Sequence, residues 1–107
     1  MMRVVFIGCV ESSEHMLKSA ISVSEVEVVG VVTRTASSYN SDFCSLQPVA
    51  DQHNIPCYLV DGNDQEEMAS WIRDRSPDVG FCFGWSYLLD AEVLSIPRLG
   101  FLGYHPT

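Results

Sequence analysis

The chain opens on an apolar run and then switches repeatedly between strand-like and helix-like spacing. Arg3-Val4-Val5-Phe6-Ile7-Gly8 is continuous in its hydrophobicity and closed by a glycine, the pattern of a central parallel strand covered on both faces. Met16, Leu17, Ala20 and Ile21 follow at spacings of one, three and four, which predicts an amphipathic helix facing a sheet. Ser12 or Ser13 is its expected N-cap, and Glu14 suits its first turn. Val26, Val28, Val29, Val31 and Val32 predict a second strand, because β-branched density this high is unfavourable in a helix.

The polar stretch 34–45 contains Ser37-Ser38-Tyr39-Asn40-Ser41 and predicts a mobile loop. Leu46, Val49, Ala50 and His53 return to helical spacing, with Pro48 tolerated in the first turn and Asn54 at the end. Residues 55–60 predict a short third strand, and Pro56 near its start suggests a sheet edge. The turn 61–64 hands an Asx cap to a helix whose inner stripe is Met68, Trp71 and Ile72. Arg73 and Arg75 sit in its last turn, where the helix dipole favours cations, and Ser76-Pro77 stops it. Residues 78–84 predict a fourth strand, 87–94 a short helix broken before Pro97, and 99–105 a fifth, central strand.

Strand and helix thus alternate from end to end. The expected fold is α/β: a Rossmann-like, doubly wound, mainly parallel sheet with right-handed crossovers and helices on both faces. In such sheets ligands collect beyond the carboxyl ends of the strands, where strand order reverses. That directs attention to segments 8–13, 83–89 and 104–107.

Composition narrows the class. The 107 residues allow one domain, here 1–107, with 47% hydrophobic and 19% charged residues, an ordinary globular balance. Fourteen acidic against six basic side chains leave a net charge of −8. This disfavours nucleic acid and anionic membrane surfaces as partners, since both need a basic face. No apolar run approaches the roughly 20 residues that span a bilayer, and the first residues make a poor signal peptide. Cys9, Cys44, Cys57 and Cys82 form no C-x-x-C pair. Free thiols in a reducing cytoplasm are the expectation.

Candidate chemistry is sparse. The first strand-to-helix turn, Gly8-Cys9-Val10-Glu11-Ser12-Ser13, has one glycine where a dinucleotide fingerprint needs three, and Glu11 has the wrong charge for a pyrophosphate. A phosphate-cradling P-loop is excluded. His15 and His53 fall on helices, at the surface or its boundary, and no histidine spacing suggests a metal site. His105 ends a predicted strand on the ligand edge of the sheet. There it is either a general base or a polar strand-end cap. The block 83–89, Phe-Gly-Trp-Ser-Tyr-Leu-Leu, is either aromatic core beneath a loop or a flat apolar slot for a planar heterocycle.

The opening strand, Asn54-Ile55-Pro56, Ser76-Pro77-Asp78 and above all 83–106 resemble the folate-dependent formyltransferases. The stretch 83–106 is most similar to the segment leading to the active-site histidine of amino-sugar formyltransferases such as the UDP-4-amino-4-deoxy-arabinose enzyme. Methionyl-tRNA formyltransferases share the architecture. The resemblance implies a formyltransferase-type fold and transfer of a formyl group from 10-formyltetrahydrofolate to a primary amine. The expected acceptor is an amino-sugar nucleotide, with methionyl-tRNA as the alternative. It assigns the catalytic proton-handling role to His105 and main-chain contacts with the folate pterin to Tyr87, Leu88 and Leu89.

Two departures from the family pattern stand out. Gly103 occupies the place of the family's asparagine, which removes an oxyanion donor. The chain also stops before the expected aspartate. The expectation is therefore the N-terminal part of a formyltransferase catalytic domain, C-terminally incomplete, inactive alone and prone to self-association at an unpaired sheet edge. A catalytically dead folate-binding module of the same fold is the rival from another class, and a nucleotide-binding Rossmann domain a third.

Overall fold

The computed structural model describes residues 1–35, 41–62, 64–85 and 88–104. Within them strands and helices alternate: β1 (Met2–Ile7), α1 (Glu11–Ser22), β2 (Val26–Arg34), α2 (Gln47–Gln52), β3 (Cys57–Val60), α3 (Gln65–Arg75), β4 (Val79–Phe83), α4 (Ala91–Ser95) and β5 (Phe101–Tyr104). All four strand pairings are parallel, and the sheet order is β3-β2-β1-β4-β5.

The chain steps outward from β1 to β3 and then returns to lay β4 beside β1. The helices therefore divide between the two faces. Leu17 of α1 and Val49 and Ala50 of α2 pack with Phe6, Val28 and Val31 on one face. Met68, Ala69 and Ile72 of α3 and Val93 of α4 pack with Val5, Ile7 and Val32 on the other. Alternation along β1 sends Phe6 to the first core and Val5 and Ile7 to the second. A strand buried on both faces needs the unbroken apolar run seen in the sequence.

Local chemistry sets the helix ends. Asp64 caps α3 by accepting a hydrogen bond from the Glu67 amide at 3.1 Å, and Asp90 caps α4 from Val93 N at 2.9 Å. Ser76 ends α3 in the left-handed region, φ 50°. Gly30 seats α3 on the sheet, since a Cβ there would lie 2.8 Å from the Trp71 ring.

Several expectations need correction. The N-cap of α1 is Val10, and Ser13 lies one turn in and fully buried. Met16 is 39% exposed and belongs to the outer flank of α1. The last helix starts at Ala91, not 87, because Asp90 supplies the cap. β5 is an edge strand of the described sheet rather than a central one, and β3 is the other edge. Part of the expected mobile loop is pinned: Val10 and Phe43 form an isolated antiparallel bridge, and the Cys44 amide donates to the Cys9 carbonyl at 2.9 Å. Residues 36–40 of that loop lie outside the described residues.

Candidate functional site

Strand order reverses between β1 and β4, so the turns that follow them face one another. Glycines let them close. A Cβ on Gly8 would sit 2.3 Å from the Phe83 carbonyl oxygen and 2.7 Å from Ser13 Cβ. Gly84 has φ +71°, and a Cβ there would meet Ser13 Oγ and Val10 Cγ2 at 2.3 Å. The left-handed backbone and the missing side chain are both required at this position.

Hydrogen bonds stitch the two turns. Ser13 Oγ donates to the Phe83 carbonyl at 2.6 Å and accepts from the Val10 amide at 3.3 Å. The Cys9 amide and thiol both donate to the Gly84 carbonyl, at 3.0 Å and 3.4 Å. Cys9, Ser13 and Trp85 are buried. The two turns are therefore held together by backbone groups and small side chains.

Further polar contacts fix the neighbouring segments. Arg34 donates through Nη1 to the Gly62 carbonyl at 2.8 Å and lies 5.7 Å from the Trp85 ring centre. Thr33 Oγ1 accepts from the Leu46 amide at 3.0 Å. The Cys44 thiol donates to Glu14 Oε2 at 3.1 Å. That bond holds the Glu14 carboxyl below its usual range. Burial, then the Glu14 carboxylate, pushes the Cys44 thiol up to about 11. Burial also pushes up Cys9, Cys57 (to about 11) and Cys82 (to about 12). None of the four is a thiolate near neutral pH, so none is an activated nucleophile.

The 88–90 segment forms the rim after β4. Leu88 projects into solvent, 82% exposed, while Leu89 packs against the core under α3 and α4. Gln65 clamps their backbone. Its Nε2 donates to the Leu88 carbonyl at 2.5 Å, and its Oε1 accepts from the Asp90 amide at 2.6 Å. Trp85 belongs to the core, which is the plainer of the two expectations for block 83–89. Tyr87 and His105 lie outside the described residues. Gly103 pairs with Cys82, and a Cβ on it would have its nearest contacts at 3.4 and 4.0 Å, ordinary distances. Among the described residues no group of three or more His, Cys, Asp or Glu could hold a metal ion, and no helix is long and apolar enough to cross a membrane.

No protein-family model matches the chain. Curated relatives do. The methionyl-tRNA formyltransferase of Ehrlichia ruminantium (strain Welgevonden) is 29% identical over 110 residues, covering 99% of this chain and 36% of the relative. That of Thermotoga maritima is 30% identical over 114 residues, covering 99% and 35%. Among solved structures, glycinamide ribonucleotide transformylase 1 from Geobacillus kaustophilus superposes with a TM-score of 0.74 at 14% identity, over 99% of this chain and 58% of that one. Phosphoribosylglycinamide formyltransferase from Anaplasma phagocytophilum gives 0.72 at 21% identity, over 98% and 50%. The structural matches establish the fold.

The chain is similar to formyltransferases along nearly its whole length.

The chain spans about a third of the length of the curated relatives it matches. Its Rossmann-like fold is the one expected from the alternation of elements. Sequence reasoning missed Ser13 and Gln65 as site-forming residues. Ser13 looks like a helix cap in sequence, and only the meeting of β1 and β4 shows its second partner. Gln65 is an unremarkable polar residue at a helix start, and its separation of 23 positions from Leu88 hides the contact.

Proposed function

We propose that the chain forms the donor-binding part of a formyltransferase catalytic domain, with 10-formyltetrahydrofolate as formyl donor and a primary amine as acceptor. The observation that carries this is the match to methionyl-tRNA formyltransferases over 99% of the chain. The meeting of the β1 and β4 turns supports it. This is the reversal point at which open α/β sheets take ligands, and its rim carries fixed main-chain groups at 88–90.

In the reaction the amine nitrogen attacks the formyl carbon, the bond from that carbon to the folate nitrogen breaks, and the amine proton ends on the folate nitrogen. His105 is the proposed carrier of that proton. Tyr87, Leu88 and Leu89 are the proposed pterin contacts, through their main chain. At Gly103 no side chain reaches the developing oxyanion, which lowers the expected rate on the order of 100- to 1000-fold against an asparagine there.

The relatives are named for methionyl-tRNA, which favours a methionyl-tRNA-type acceptor over the amino-sugar nucleotide expected from the resemblance. The net charge of −8 pulled the other way. It belongs to a chain that spans a third of those relatives, so it carries less weight than the match. The edge position of β5, with Leu102 60% exposed, supports self-association as part of this proposal.

The test is incubation with 10-formyltetrahydrofolate and, separately, methionyl-tRNA and amino-sugar nucleotides, with formylated product read by mass spectrometry. Product from methionyl-tRNA alone supports the acceptor assignment. Product from the amino-sugar nucleotide alone reverses it. Stoichiometric folate binding without product from these 107 residues is the outcome expected of a donor-binding part that is inactive alone, and the same outcome from a chain of the relatives' full length favours the catalytically dead binding module.

A further inference from the structure

We propose that Gln65 is a positioning residue for the formyl donor: its side-chain amide fixes the 88–90 backbone so that the main-chain groups of Leu89 face a planar heterocycle. The inference rests on the donor site proposed above.

Gln65 is the first residue of α3. That helix is anchored by the Asp64 cap and by buried Met68, Ala69 and Ile72. The side chain thus projects from a rigid base. Two of its hydrogen bonds bracket one residue: the carbonyl of Leu88 on one side and the amide of Asp90 on the other, at 2.5 and 2.6 Å. The chain has no cis peptide bonds among the described residues. In a planar trans peptide the carbonyl and the N–H point in opposite directions. The Leu88 carbonyl points to Gln65, so the Leu89 N–H points away from it. The Asp90 N–H points to Gln65, so the Leu89 carbonyl also points away. The clamp therefore turns one donor and one acceptor, both on Leu89, to the opposite side. That pair matches a heterocycle edge with a ring N–H beside a carbonyl, as a pterin has.

The residue type is demanding. The clamp needs a donor and an acceptor on one flat group at the end of two methylenes. Ionised glutamate accepts only, and would set a carboxylate against the Leu88 carbonyl oxygen. Lysine donates only. Protonated glutamic acid regains both functions.

The experiment uses the full chain and 5-formyltetrahydrofolate, a stable folate probe, titrated by calorimetry at pH 8 and at about pH 5. Wild type, Gln65→Ala and Gln65→Glu are compared, with melting midpoints recorded for each. The expected result is a loss of affinity on the order of tenfold for both variants at pH 8, from two lost hydrogen bonds. The Gln65→Glu deficit relative to wild type shrinks at about pH 5, because the Leu88 carbonyl oxygen facing the carboxyl disfavours its ionised form and draws it toward protonation. A merely structural role would not produce that recovery. Variants that bind as tightly as wild type overturn the positioning role while leaving the donor site intact. A wild-type chain that does not bind the probe overturns the donor site and the positioning role together. Should Gln65→Ala fail to fold, the pH dependence of Gln65→Glu alone decides.

Discussion

Ser13 Oγ donates to the carbonyl oxygen of Phe83, 70 positions away in the chain, at 2.6 Å. This bond ties the first turn of α1 to the end of β4 across the reversal point of the sheet. The same oxygen accepts from Val10 N, so one hydroxyl serves two backbone groups at a fully buried position. Ser13→Ala keeps the volume and removes both partners. It should lower unfolding free energy by about 1–3 kcal/mol, read as a shift in urea midpoint at unchanged slope. A midpoint equal to wild type would mean the stitch contributes nothing.

Gly84 and Gly62 separate two costs of a side chain at positive φ. Both are left-handed, at +71° and +82°. A Cβ at Gly62 meets nothing within 4 Å, whereas one at Gly84 meets Ser13 and Val10 at 2.3 Å. Gly62→Ala should cost about 1–2 kcal/mol, from backbone strain alone. Gly84→Ala should cost clearly more, with the excess attributable to the forced separation of the two turns. Equal losses in thermal or urea unfolding would contradict the close approach.

Stability should fall on the alkaline side through the buried thiols. Burial, followed by the neighbouring Cys9, pushes Cys82 from 9.0 up to about 12. Above pH 9 the unfolded chain releases this proton while the folded chain keeps it. The unfolded state then binds fewer protons, so unfolding free energy declines as pH rises from about 9 to about 12. The slope from this one group is about 1.4 kcal/mol per pH unit. Cys82→Ala should flatten the curve in that window while lowering stability at neutral pH by removing a buried group. A wild-type curve flat from pH 8 to 11 would rule out a protonated buried thiol.

Gly103→Asn tests whether the departure from the family pattern is steric or chemical. The backbone accepts a Cβ there at ordinary contact distances, so the substitution should leave the melting temperature within a few degrees. If the proposed reaction is carried out, formyl transfer should rise on the order of 100-fold as an oxyanion donor is supplied. A folded variant with unchanged transfer rate would show that this position does not face the reacting carbonyl.

The fold was legible because each strand carries its burial in its composition. The valines of β2 and the run Val4-Val5-Phe6-Ile7 could hardly be anything but central strands, and both lie inside the sheet. Boundaries were less legible where side chains serve tertiary partners. Ser13 resembles a cap but is drawn inward by Phe83. Asp90 sets the start of α4 four residues after the position that apolar spacing suggests. The 42–44 segment reads as loop because its partners, Val10, Glu11 and Cys9, are remote in sequence. The place of the candidate site, at 8–13 and 83–89, was legible from the alternation of strands and helices, whereas the roles proposed for its residues came only through family resemblance. Those roles fall to backbone at 88–90, and main-chain groups leave no side-chain signature.

The central claim is that a folate donor sits at the carboxyl ends of β1 and β4. Its most direct test is a two-dimensional amide spectrum of the chain titrated with 5-formyltetrahydrofolate. The account predicts saturable shifts at Cys9, Val10, Gly84, Leu89 and Asp90. Shifts confined to the opposite end of the sheet, around Arg3, Glu27 and Asn54, would contradict it, as would a spectrum that the folate leaves unchanged.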